Sequence, residues 1–167
     1  METNKFIIDF NKGTQSEIDI LPKLKIHFLD ETIERSLDRY SIFDYTNNKD
    51  LLIELKTRNC EYEKYDETMI NVIKINKSKK LSKTHNIYFL FLFTNGLYYW
   101  KYDINELDKL TYKIGGRSDR TNLYSEKKIY TYIIHYILIL VNNLISIYVY
   151  IFFSEYKLVR SDLPPIL

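Results

Sequence analysis

The stretch that decides the fold comprises residues 41–57 and has the sequence SIFDYTNNKDLLIELKT. Its two apolar ends, residues 41–45 and 51–57, have the composition of β-strands. The polar residues 46–50 between them are of the types that favour turns. This stretch therefore predicts a β-hairpin.

The predicted hairpin brings charged side chains together. Because side chains alternate along a strand, Glu54 and Lys56 share one face, and Ile53 and Leu55 point into apolar packing on the other. Asp44 on the preceding strand then lies beside the charged face. Two neighbouring carboxylates repel each other unless a cation or a proton lies between them, and Mg²⁺ prefers such oxygen ligands. With an amine to orient water or to offset phosphoryl charge, these groups suit metal-assisted phosphodiester hydrolysis.

The flanking sequence predicts a layered α/β fold with a small mixed sheet. Thr14 and Glu17 have the spacing of a capping box, which predicts that a helix begins at Thr14, although Pro22 would kink it. Asn95 and Gly96 between two apolar runs predict a second hairpin. The other predicted elements are a short helix at 31–37, a helix at 66–80, and the strands 87–93 and 97–102 of the second hairpin.

Length and composition limit the class of protein. The chain has 167 residues and a net charge of +2, as expected of one globular domain. A single cysteine, Cys60, excludes a disulfide framework and cysteine-based zinc sites. The chain contains no alanine and is rich in residues with A/T-rich codons, so its many lysines and tyrosines are no evidence for nucleic-acid binding. The first residues lack a signal-peptide pattern, which predicts an intracellular protein that is not secreted.

Residues 129–153 contain no Asp, Glu, Lys or Arg, and they permit three interpretations. The favoured one is a hydrophobic helix, which at this length would span about 37 Å and could cross a membrane. The second is a pair of buried strands with a turn at Asn142 and Asn143. The third is that A/T-rich DNA has been translated out of frame or into an intron.

The pattern Asp44-x9-Glu54-x-Lys56 resembles the motif of the PD-(D/E)XK nuclease superfamily. The surrounding chain is similar to small endonucleases of that superfamily from large DNA viruses and phages. The resemblance covers roughly residues 10–133, in the segments 13–17, 39–44, 53–58, 65–74, 88–102 and 114–120. It implies a restriction-endonuclease-like core in residues 1–133, with a small mixed β-sheet flanked by helices. Residues 134–167 would form an atypical hydrophobic C-terminal tail.

The resemblance also implies roles for individual residues. Asp44 and Glu54 would bind Mg²⁺ (or Mn²⁺), Lys56 would assist the attacking water, and Glu17 on the first helix would assist catalysis. Phe43 stands where proline often precedes the first acid in this superfamily. The implied nucleic-acid contacts are Arg58, Arg117 and Arg120. The implied partner is DNA, and many enzymes of this fold act as homodimers to cut both strands.

Several alternatives stay open at the level of sequence. The protein could be a catalytically inactive nuclease fold that binds nucleic acid, or a small viral protein anchored in a membrane through residues 129–153. If it is viral, its location would be the cytoplasm or nucleus of the host cell. Asp50 is a rival of Asp44, and Glu31 and Glu34 are rivals of Glu17. The basic run Lys74, Lys77, Lys79, Lys80 and Lys83 could track a nucleic-acid backbone, but a solvated face is the favoured interpretation.

Overall fold

The computed structural model describes residues 2–38, 40–115, 128–134 and 139–141. The elements in chain order are α1 (Glu2–Phe28), β1 (Glu34–Arg35), β2 (Tyr45–Thr46), β3 (Leu51–Thr57), β4 (Glu67–Asn71), α2 (Val72–Leu81), β5 (Asn86–Phe93), β6 (Gly96–Lys101), β7 (Thr111–Gly115), β8 (Lys128–Ile134) and β9 (Ile139–Leu140), with 3₁₀ turns at Tyr62–Lys64 and Ile104–Lys109.

Two sheets organise the chain. The larger sheet has six strands in the order β1-β2-β3-β5-β6-β9, and β3 and β5 are its one parallel pair among the described residues. The smaller sheet has the antiparallel order β4-β8-β7. The predicted α/β class is confirmed: the protein has a restriction-endonuclease-like core with a mixed sheet and helices.

The larger sheet is covered on both faces by apolar side chains. On one face Ile53 and Leu55 of β3 pack with Leu24 of α1. On the other face the rings of Phe89 and Trp100 belong to an aromatic cluster that also contains residues of α2 and of the smaller sheet. Ile53 and Leu55 therefore lie on an apolar face, as the alternation predicted, and this face packs against α1.

Both predicted hairpins are present, but the predicted strand at 41–45 is wrong for residues 41–44, which are bends or irregular, because β2 comprises only Tyr45–Thr46. In the first, Oδ1 of Asn47 accepts backbone hydrogen bonds from Lys49, Asp50 and Leu51 at 3.0–3.1 Å, and Asn48 adopts a φ of 58°. Asparagine tolerates this left-handed conformation better than most residues, which explains its place in the turn. In the second hairpin the strands pair up to Phe93 and Gly96, directly beside the turn.

The predicted start of the first helix is wrong. The helix α1 begins at Glu2, so Thr14 lies in its interior and is not an N-cap. A capping box is a local signal for the start of a helix, and it does not interrupt a helix that already runs through it. Residues 2–12 contain neither Gly nor Pro, so the helix continues through them. Pro22 lies inside α1, as the sequence suggested.

Two other predicted helices also need correction. Residues 31–37 form a turn and β1, where Arg35 pairs with Tyr45 and the Ser36 N–H donates to the Asp44 carbonyl at 2.8 Å. The predicted helix at 66–80 begins only at Val72, because residues 67–71 pair with β8. Asn71 then caps α2 by accepting from the Ile73 N–H.

The described part of residues 129–153 is extended. Lys128–Ile134 and Ile139–Leu140 are strands, so the favoured helical interpretation is wrong for these residues. The strand β9 pairs with β6 through Tyr99 and Ile139, so the beginning of the predicted tail joins the larger sheet. The proposed turn at Asn142 and Asn143 lies outside the described residues. No helix in the described ranges has both the length and the apolar character needed to cross a membrane.

Candidate active site

Asp44 is held beside β3 by two backbone contacts. Its N–H donates to the Ile53 carbonyl at 2.9 Å, directly beside the paired residues Tyr45 and Ile53. Its Oδ2 accepts from the Leu55 N–H at 2.7 Å. The hairpin therefore fixes both the position and the orientation of this carboxylate next to Glu54.

Glu54 is the most deeply buried charged residue of the site, with a side chain 1% exposed. Its Oε1 accepts a hydrogen bond from Lys56, and its Oε2 accepts one from Lys74 Nζ at 2.6 Å. A buried carboxylate is stable only when it is paired and hydrogen-bonded, and here both oxygens meet that requirement. The predicted convergence of Asp44, Glu54 and Lys56 is therefore present in the structure.

Lys74 reaches this cluster from the first turn of α2. Its ammonium also donates to the Ile42 carbonyl and lies 5.9 Å from the centre of the Phe43 ring. Its side chain is only 23% exposed. The solvated-face interpretation of the basic run therefore does not apply to Lys74, although Lys77, Lys79 and Lys80 are exposed.

The two carboxylates influence each other. The pKa of Asp44 is raised from 3.8 to about 7, first by burial and then by the negative charge of Glu54, while Lys56 and Lys74 oppose the change. Desolvation and a neighbouring like charge are the two usual causes of such an increase. A bound cation would therefore strongly stabilise the ionised carboxylate of Asp44.

The donor set fits a magnesium-type ion. The described residues contain no group of three or more His, Cys, Asp or Glu side chains that could hold a metal. Mg²⁺ is usually bound by one or two carboxylates, with water and substrate phosphates completing its shell. Asp44 and Glu54 supply such a pair, so the site suits Mg²⁺ or Mn²⁺ better than an ion that needs many protein ligands.

Glu17 lies in a neighbouring groove between α1 and β3, with a volume of about 210 Å³. Lys56 extends along this groove, which is also lined by Lys12, Gly13, Leu55, Thr57 and Asn59. The carboxylate of Glu17 accepts from Arg35 Nη1 at 3.2 Å. Within the described part of the chain, Glu17 has no hydrogen bond to Asp44 or Glu54, and it shares its groove with Lys56.

Arg58 is engaged inside the protein. Its guanidinium donates to Thr68 Oγ1 at 2.9 Å and to the Met69 carbonyl, and it lies 5.8 Å from the Phe91 ring. Burial lowers its pKa. These contacts join the end of β3 to β4, while the role of Arg58 in nucleic-acid binding stays a prediction. Arg117 and Arg120 lie outside the described residues.

The rival acids have local partners. Asp50 accepts from Asn47 in the first hairpin turn, Glu34 accepts from Asn48, and Glu31 lies 3.8 Å from Lys25 and is exposed. These contacts are typical of turn and surface residues. None of these three acids contacts Lys56 or Lys74 among the described ion pairs.

Two residues of the site, Arg35 and Lys74, were not predicted from the sequence. Arg35 was assigned to a helix, and its ion pair with Glu17 depends on the β1 pairing. Lys74 was grouped with surface lysines. The signal that could have identified Lys74 is the cap at Asn71, which places Lys74 in the first turn of a helix that follows a strand.

The comparison with known families identifies one family. Residues 9–135 match the family model described as phage putative PDDEXK endonuclease, and the matched region contains Glu17, Asp44, Glu54 and Lys56. No curated protein and no solved structure matches the chain significantly. Because the family match extends over well more than half of the 167 residues, the chain belongs to this PDDEXK endonuclease family of phages.

Proposed function

We propose that the protein is a metal-dependent endonuclease that hydrolyses phosphodiester bonds in DNA. The observation that carries this proposal is the cluster of Asp44, Glu54 and Lys56 at one end of the first hairpin. Membership of the endonuclease family supports nuclease activity in general. The metal, the DNA substrate and the individual residue roles are our proposal.

Asp44 and Glu54 would hold Mg²⁺ or Mn²⁺, which when bound would polarise the phosphoryl group and offset its developing charge. Glu54 also keeps the ammonium of Lys56 in place through the hydrogen bond at Oε1. The side chain of Lys56 is 32% exposed, so it contacts solvent as well as the buried carboxylate. This position suits a residue that orients the attacking water and stabilises negative charge on the phosphate.

The groove beside Lys56 supplies a place for the nucleic-acid backbone. Lys12 and Lys56 both line it, and Lys12 is oriented by a hydrogen bond to Asn59 Oδ1 at 2.8 Å. A Cβ added at Gly13 would meet no atom within 4 Å, so the wall of the groove is open at this point. Glu17, held by Arg35, would act from this groove on the water or the substrate. Arg58, Arg117 and Arg120 are proposed as further contacts to nucleic acid.

The proposal is tested by incubating the full chain with Mg²⁺ or Mn²⁺ and supercoiled, linear, single-stranded and branched DNA, with RNA as a further substrate. We expect cleavage of at least one DNA form, and a loss of roughly 100-fold or more in Glu54→Ala and Lys56→Ala. Lys77→Ala, an exposed lysine on α2, is the matched control and should cleave normally. Uncut DNA with the wild-type chain, or equal cleavage by Glu54→Ala, would contradict the proposal.

A second candidate function is a nuclease fold that binds nucleic acid without cutting it. The observation that favours it is that both oxygens of Glu54 already pair with lysine ammoniums. Calorimetry with Mg²⁺ separates the two functions. A binding module would bind DNA with a strong dependence on salt but would show no heat of ion binding at Asp44 and Glu54.

A further inference from the structure

The charged cluster contains as many ammoniums as carboxylates. The carboxylate of Glu54 contacts the ammoniums of Lys56 and Lys74, and the carboxylate of Asp44 is held beside β3 by the Leu55 N–H. A divalent ion held by the same carboxylates would place two more positive charges beside these lysines. Like charges within a few ångströms repel strongly at a half-buried site. One ammonium is therefore expected to withdraw when an ion binds.

Lys74 competes with an ion for one oxygen of Glu54. It donates to Glu54 Oε2 and to the Ile42 carbonyl, and Ile42 precedes Asp44 by two residues. Its ammonium thus lies between the backbone segment that carries Asp44 and the side chain of Glu54. Lys56 contacts the other oxygen of Glu54 and also lines the groove beside α1.

We infer that Lys74 is an internal counter-ion that pairs with Oε2 of Glu54 and leaves Glu54 when a divalent ion binds. This inference rests on the proposed metal site. Lys74 would keep the buried carboxylate paired before the ion arrives, at the expense of ion affinity. It is a positioning residue that acts through Glu54, and the chain would fold without requiring the metal.

The test is the affinity of the metal itself, measured by calorimetry with Mg²⁺ on the full chain and without nucleic acid. In Lys74→Met we expect a dissociation constant about tenfold lower than in wild type, which corresponds to roughly 1.4 kcal/mol. Lys77→Met removes the same charge from an exposed position of α2 and should bind as wild type does. Lys74→Gln, which is neutral but polar, should follow Lys74→Met.

Thermal unfolding provides the second readout and confirms that each variant folds. Without Mg²⁺, Lys74→Met should melt below wild type because Glu54 has lost one partner, and added Mg²⁺ should raise its melting temperature more than that of wild type. Folded Lys74 variants that bind Mg²⁺ no more tightly than wild type would overturn this inference and leave the proposed function intact. Absence of Mg²⁺ binding in wild type and in both Lys74 variants would overturn the proposed metal site and this inference together.

Discussion

Replacement of Asp44 by asparagine should stabilise the metal-free protein at alkaline pH. Asparagine has nearly the same shape, and its carbonyl oxygen can accept the hydrogen bond that the Leu55 N–H donates to Asp44 Oδ2 at 2.7 Å. What the change removes is a negative charge that lies beside Glu54 in a largely desolvated position. The variant therefore isolates the energetic effect of the charge from that of the hydrogen bond.

The magnitude follows from the pKa of Asp44. Folding raises this pKa from 3.8 to about 7, mainly by burial and then by the charge of Glu54. The folded state therefore binds the proton more tightly than the unfolded chain, so the contribution of Asp44 to stability is fully present below about pH 4 and is lost as the pH rises to about 7. Three pKa units correspond to about 4 kcal/mol. Solvent screening of the partly accessible carboxylate reduces the expected effect to roughly 2 kcal/mol.

The assay is urea unfolding in EDTA at pH 4, 6 and 8, followed by the fluorescence of Trp100, which is buried in the core. The difference in unfolding free energy between Asp44→Asn and wild type should grow from pH 4 to pH 7 and then stay constant. Asp66→Asn, an exposed position, should change stability by less than about 0.5 kcal/mol at every pH. A difference for Asp44→Asn that does not vary with pH would refute the reasoning.

Three further substitutions probe the packing around the site. Glu54→Gln removes the charge that both ammoniums contact and should lower the unfolding free energy by roughly 3 kcal/mol in urea at pH 8; unchanged stability would contradict the buried ion pairs. Arg58→Met leaves two acceptors on β4 without their donor, so it should lower the free energy of unfolding by about 2 kcal/mol in a thermal unfolding experiment. Lys64→Met, at an exposed position, should change the free energy of unfolding little. Leu24→Ala, at a fully buried position between α1 and the sheet, should cost roughly 3 kcal/mol, and an equal cost for Ile26→Ala, which is 55% exposed, would refute the packing of α1.

The parts of the fold that sequence could predict depend on contacts between residues close in the chain. Asn95 and Gly96 specify a turn by themselves, and alternation along 51–57 specifies which side chains share a face. The strand β4 was missed because its partner is distant: Met69 pairs with Tyr132 in β8. The sequence of residues 67–71 by itself does not indicate a strand rather than a helix.

Asp44, Glu54 and Lys56 could be predicted as a group because one hairpin contains them all, but their burial could not. An exposed Glu-x-Lys and a buried one have the same sequence, and the difference lies in what covers the face. Here α2 covers it, and the packing of α2 on the sheet also brings Lys74 to Glu54. The electrostatics of the site therefore depend on a helix that has no part in the motif.

The position of Lys74 shows how one lysine can be distinguished from its neighbours in a lysine-rich chain. In α2 the buried residues are Ile75 and Ser78, and Lys74 lies one turn before Ser78 on the same side of the helix. Ser78 Oγ donates to the Lys74 carbonyl at 2.9 Å, so the buried hydroxyl has its hydrogen bond within the helix. The lysine one turn earlier reaches the Glu54 carboxylate on β3. Lys77 precedes the buried Ser78 in sequence but is exposed, because its angular position on the helix differs from that of the buried residues. The phase of the helix relative to its buried residues therefore decides which lysine reaches Glu54.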